Sequence, residues 1–163
     1  MTFDKILVPL DGSLLAETAL PTAVELIGSN AKATLILLRA TEAITVPGVD
    51  PLDAQVAVVR EARDYLEAVA ARLRRDATAS VRTSVWYGAA APSILEAARM
   101  EEPDVIMMST HGRSGFCRLI RGSIAESVLR ASRTPVFLIT AKDSRGKTPA
   151  EAAGAREQEA TNV

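Results

Sequence analysis

The chain has 163 residues, 48% of them apolar, and its 19 basic and 20 acidic side chains leave a formal net charge of −1. A single domain of this size buries roughly 70% of its unfolded surface, and the near-neutral total excludes a globally cationic face for nucleic acid or an anionic membrane. One cysteine, Cys117, excludes an internal disulfide, and together with the single histidine, His111, it cannot build a zinc cage. No basic stretch leads into an apolar run at the start, and no apolar run approaches ~20 residues, so the expectation is a soluble cytoplasmic protein with no membrane span.

Two periodicities alternate along the chain. Lys5-Ile6-Leu7-Val8 is a short apolar run ending at Pro9, which has no amide for a sheet ladder. A helical stretch runs from Ser13, an N-cap residue, to about Ile27, where Gly28 ends it. Pro21 lies inside that stretch and predicts a kink. Residues 33–38 read as a second buried strand, and the turn-rich segment Val46-Pro47-Gly48-Val49-Asp50-Pro51 as a loop. From Ala54 to Arg75, Val59, Ala62, Leu66, Val69 and Leu73 recur at steps of three and four, which predicts an amphipathic helix.

Val81, Thr83, Val85 and Tyr87 alternate in a third strand closed by Gly88, and a helix with Pro92 in its first turn runs to about Glu101. Asp104 to Met108 is a fourth strand, apolar on both faces and therefore central. A loop rich in glycine and arginine follows, then a helix from Ser123 to about Ser132 and a fifth strand, Val136 to Ile139. Five strands alternating with four helices predict parallel βαβ units in a three-layer α/β sandwich. Residues 142–163 are charged and almost free of large aliphatic side chains. They read as a mobile tail behind a folded unit of residues 1–141.

In an open parallel sheet, ligands sit beyond the carboxyl ends of the strands, where the strand order reverses. The most informative such exit is Ser109-Thr110-His111-Gly112-Arg113-Ser114-Gly115-Phe116-Cys117-Arg118-Leu119-Ile120-Arg121-Gly122-Ser123. Its glycines allow amides to converge on an anion, the helix from Ser123 offers free amides and a positive dipole end, and Arg113, Arg118 and Arg121 add charge. Between Ser109 and Arg133 there are five arginines against one acid, Glu126. The plainer reading is a capping box, Ser123-Ile124-Ala125-Glu126, with solvated arginines around it. Asp11, at the exit of the first strand, has the chemistry to accept hydrogen bonds from ribose hydroxyls, or else it buttresses the following helix. Lys147 follows Gly146, but Ala141 stands where a P-loop needs its first glycine.

These residues resemble the universal stress protein family over roughly residues 2–141. The resemblance rests on Ile6-Leu7-Val8-Pro9-Leu10-Asp11-Gly12-Ser13 and on the pattern Gly-x2-Gly-x9-Gly-Ser/Thr, which falls on Ser109, Gly112, Gly122 and Ser123 with its first glycine replaced by Ser109. It implies a doubly wound, Rossmann-like sheet of order 3-2-1-4-5 that binds ATP, with or without Mg2+. On that resemblance Asp11 meets the ribose, and the backbone around Pro9, Leu10, Ala40 and Met108 meets the adenine and sugar. Gly112, Gly122 and Ser123 hold the phosphates with help from Arg113, Ile124 is a further nucleotide-binding residue, and Ser109 is itself a candidate donor to a phosphate. The strand Pro135 to Ile139 pairs with its counterpart in a homodimer.

Two function classes stay open. One is a nucleotide-regulated stress-response binding module; the other is an interaction protein that works through its dimer surface and tail without nucleotide. No receiver-type aspartate stands at Tyr87-Gly88, and neither a Gly-x-Ser-x-Gly nor a Gly-x-Gly motif occurs. Slow ATP hydrolysis is the most that the segment allows, with His111 its one side chain titrating near neutral pH.

Overall fold

A computed structural model describes residues 3–43, 47–48, 50–76, 78–111 and 123–141. The tail 142–163, and with it the expected domain division, lies outside the described residues. In chain order the elements are β1 (Lys5–Pro9), α1 (Leu14–Glu17), α2 (Leu20–Ile27), β2 (Thr34–Thr41), α3 (Pro51–Asp76), β3 (Ser80–Tyr87), α4 (Ala90–Glu101), β4 (Val105–His111), α5 (Ser123–Ala131) and β5 (Val136–Ala141).

The strands form one parallel sheet in the order β3-β2-β1-β4-β5, as the resemblance implied. Because successive strand residues point to opposite faces, the apolar runs divide into two cores. Ile6, Val8, Leu35 and Leu37 pack with Leu20, Ala23, Leu66 and Val69 under α2 and α3. Leu7, Ile36, Leu38, Ile106 and Met108 pack with Ile94, Ala97, Ala125 and Val128 under α4 and α5. Both sheet faces are therefore buried, as in other all-parallel sheets, and each fully buried aliphatic side chain contributes about 1.5–3 kcal/mol of transfer free energy.

Several elements differ from the pattern-based expectation, α3 among them, which begins at Pro51 rather than Ala54. The helix expected from Ser13 to Ile27 is two helices: Pro21 does not kink a continuous helix but sits in the first turn of α2, where its missing amide is not needed. Ser13 does cap α1, its side chain accepting from the Ala16 amide at 3.1 Å. β4 continues through Ser109 and Thr110 to His111, because β5 extends to Ala141 and supplies the partners Ser109↔Ile139, Thr110↔Thr140 and His111↔Ala141. β2 likewise runs on to Thr41 alongside Tyr87 of β3.

The ladders also show how the central cleft opens. β1 pairs with β2 at five positions but with β4 at only two, Ile6↔Val105 and Leu7↔Ile106. Beyond Leu7 the backbone of β1 stays with β2, the Leu10 amide donating to the Leu38 carbonyl at 2.7 Å, while β4 stays with β5. The two central strands part company at the point where the strand order reverses.

Candidate functional site

The parting strands leave a cleft of about 250 Å³ at their carboxyl ends. This is a little below the roughly 300–1,000 Å³ usual for ligand pockets. From β1 and its exit come Pro9, Leu10 and Asp11; from β2, Leu38 and Ala40; from β4, Met108, Ser109 and Thr110. α1 contributes Leu15 and Ala16, α4 contributes Ala90 and Ile94, and the first turn of α5 contributes Ser123, Ile124 and Ala125. The sequence-derived candidates Pro9, Leu10, Asp11, Ala40, Met108, Ser109, Ser123 and Ile124 are thus gathered in one cavity. Gly112, Arg113 and Gly122 lie outside the described residues.

Asp11 is exposed and sits in a turn in which its Oδ1 accepts from the Ser13 amide at 2.9 Å. This is the helix-buttressing role, yet it occupies one carboxylate oxygen only, and among the described residues no donor reaches Oδ2. The following residue, Gly12, has φ +90°, a conformation that a side chain resists, and this sharp turn brings Asp11 to the mouth of the cleft.

Behind the turn stands a buttress that the sequence did not announce. The Arg39 guanidinium lies against Gly12 and 5.2 Å above the ring centroid of Tyr65, and it pairs with Glu61 at 3.2 Å. The Tyr65 hydroxyl donates to Glu17 at 3.0 Å, and Arg72 pairs with the same carboxylate. Burial holds the Tyr65 hydroxyl well above its ordinary titration range, reinforced by the hydrogen bond and charge of Glu17 and by the charge of Asp11, against the opposing pull of Arg39. It therefore stays protonated and keeps its donor role at neutral pH.

Ser109, in place of the motif's first glycine, lines the cleft while its hydroxyl is engaged by the end of α1. Its Oγ lies 3.2 Å from the Ala16 carbonyl and 2.9 Å from Thr18 Oγ1, while Thr18 Oγ1 lies 2.7 Å from the Leu15 carbonyl. Two hydroxyl protons serve three contacts, so the chain of donation runs either from Thr18 through Ser109 to Ala16 or from Ser109 through Thr18 to Leu15. Either way the hydroxyl ties β4 to the end of α1. The capping box expected at α5 is also not formed: the Glu126 carboxylate turns forward to Arg130, accepting from Nε at 3.0 Å and Nη2 at 2.6 Å.

Thr110 is the polar residue that sequence reasoning passed over. It lines the cleft and is 9% exposed, and its Oγ1 has no hydrogen-bond partner among the described residues. The signal was the strand period: Thr110 is two residues past Met108 and so shares its face, which is legible only once β4 is known to continue past Met108. Among the described residues, no helix is long and apolar enough to cross a membrane.

Comparison with known proteins agrees with this architecture. A solved universal stress protein from Burkholderia pseudomallei is 32% identical, with 85% of this chain and 96% of that one covered and a TM-score of 0.67. The structure of Methanocaldococcus jannaschii MJ0577 is 27% identical over 88% of this chain and 100% of that one, with a TM-score of 0.74. By sequence alone the match to that curated universal stress protein is 28% over 87 residues, and the chain spans about half of it (53%). An Arabidopsis thaliana member solved with AMP bound shares the fold at 15% identity, covering 90% of this chain and 97% of that one with a TM-score of 0.65. The universal stress protein family model matches residues 2–140, nearly the whole of the described fold, and the chain belongs to the universal stress protein family.

Proposed function

We propose that the chain is a cytoplasmic stress-response binding module that takes an adenine nucleotide, ATP foremost, in the cleft between β1 and β4. The observation carrying this reading is the meeting, in one cavity, of a carboxylate with an open oxygen (Asp11) and the first turn of α5. A carboxylate accepts from vicinal ribose hydroxyls, and unpaired helix amides at the positive dipole end receive an anion. Apolar Leu38, Ala40, Ile94 and Met108 supply walls for a flat base. The AMP bound to the Arabidopsis member supports the ligand class. Gly112, Gly122 and Arg113 complete the phosphate side in this reading. Among the described residues Asp11 is the one carboxylate lining the cleft, so in this reading Mg2+ is held chiefly by the phosphates rather than by a protein cage.

In this reading nucleotide occupancy biases the binding surface, and catalysis is no part of it. The homodimer forms through Pro135–Ile139 of β5, whose edge is unpaired among the described strands and whose Phe137 is 41% exposed. Titration calorimetry of the full chain with ATP and Mg2+ tests the nucleotide. Asp11→Ala is expected to weaken binding at least tenfold, while absence of heat at millimolar ATP defeats the reading. Light scattering that returned the mass of a single chain would remove the dimer from it. The engagement of Ser109 with α1 favours a second reading, an interaction protein without nucleotide, and the same titration separates the two.

A further inference from the structure

Thr110 Oγ1 is, among the described residues, the one buried side-chain polar atom without a hydrogen-bond partner, and its residue lines the cleft. Buried hydroxyls in folded proteins are nearly always bonded, because a sealed and unpaired donor retains its desolvation cost. The adjacent Ser109 shows what the alternative looks like, with its hydroxyl fully engaged on α1.

Side-chain alternation along β4 fixes what Thr110 faces. Met108 belongs to the core under α4 and α5, Ser109 reaches α1 on the other face, and Thr110 returns to the α4/α5 side. On that side Ser123, Ile124 and Ala125 of α5 line the same cleft. The amides of a first helical turn have no acceptor within the helix. The only acid of that turn, Glu126, is drawn away by Arg130, so no carboxylate of the helix neutralises its positive end. A hydroxyl donor beside a turn of amide donors, with the cleft's one described carboxylate, Asp11, contributed by β1's exit rather than by β4 or α5, is complementary to an anionic oxygen. Rotation of Thr110 between staggered wells exchanges hydroxyl and methyl without moving the strand.

We propose that Thr110 is a ligand-binding residue whose hydroxyl donates to a phosphate oxygen beside the first turn of α5. It thereby selects a phosphorylated nucleoside over the free nucleoside. This rests on the nucleotide reading above.

The test is titration of the full chain with AMP and with adenosine, for wild type, Thr110→Val, Thr110→Ala and Thr110→Ser, alongside melting of each ligand-free protein. Thr110→Val should weaken AMP about tenfold, corresponding to ~1.4 kcal/mol. Adenosine should change less than twofold, Thr110→Ser should bind AMP like wild type, and ligand-free Thr110→Val should melt no lower than wild type. If the valine variant does not fold, the alanine variant is read by the same AMP-to-adenosine ratio. Wild-type AMP affinity in the variants overturns the proposal and leaves the nucleotide reading standing, as does an equal loss for AMP and adenosine. A wild type that binds neither ligand overturns both.

Discussion

The two ends of the parallel sheet are built to opposite plans. At the amino end polar groups close on one another: Asp104 Oδ2 accepts from the Asp4 and Lys5 amides at 2.8 Å each, Asn30 donates to Asp4 at 2.8 Å, and Lys5 Nζ donates to the Glu101 carbonyl at 2.5 Å. At the carboxyl end the central strands separate, a glycine takes a left-handed turn, and a buried hydroxyl stands unpaired among the described residues. One end spends its polar chemistry on holding the chain; the other leaves it available. Sites this far apart contribute nearly additively, so substitutions at one end should move stability alone and at the other should also move ligand affinity.

The largest effect is expected at Asp104. Removing its carboxylate by Asp104→Ala leaves two strand amides without their charged acceptor, and charge-assisted bonds of this kind contribute more than neutral ones. A loss of about 2 kcal/mol in urea unfolding is expected, discounted for the exposure of the group, with nucleotide affinity unchanged. A parallel loss of affinity would show that the two ends are coupled.

Gly12→Ala probes the other end. A Cβ there meets only the Arg39 guanidinium at 3.5 Å, an ordinary contact, so the cost comes from φ +90° itself and should be about 1–1.5 kcal/mol. The same change displaces Asp11 from the mouth of the cleft. Affinity should therefore fall with stability, in contrast to Asp104→Ala, and an unchanged titration curve would detach the turn from binding.

The comparison also explains what was legible in the sequence. Strand and helix identities came from local periodicity, because β1, β2 and the start of β4 are buried apolar runs, β3 alternates, and α3 carries a clear 3.6-residue stripe. Strand order did not follow from periodicity, since any βαβ arrangement satisfies the same pattern; it came with the family motifs. The cleft residues were found where motif and strand exit coincide, at Asp11 and Ser123. Thr110, the Ser109 tie to α1 and the Arg39–Tyr65 buttress were missed because each depends on a partner distant in the chain. Pro21 illustrates the limit: a proline within a periodic stretch fits either a kink or a first helical turn. The break at Thr18, whose hydroxyl meets β4 from 91 residues away, is a tertiary feature.

The smallest effect tests the amino end from the opposite direction. Glu102 is the one described non-glycine residue with positive φ, at 48°, where it caps α4 by donating its amide to the Ala98 carbonyl at 3.0 Å. Its Cβ is disfavoured in that conformation, and Pro103 restricts it further from the C-terminal side. A glycine relieves both but also gains freedom in the unfolded chain, so Glu102→Gly should stabilise by only about 0.5 kcal/mol. Because an exposed cap at this end touches neither β1 nor β4 beyond their paired segment, the titration with nucleotide should not move. A stabilised variant with altered affinity would mean that α4 transmits its C-terminal geometry to Ala90 and Ile94, the two cleft residues at its other end. That would make α4, and not the sheet, the link between the ends.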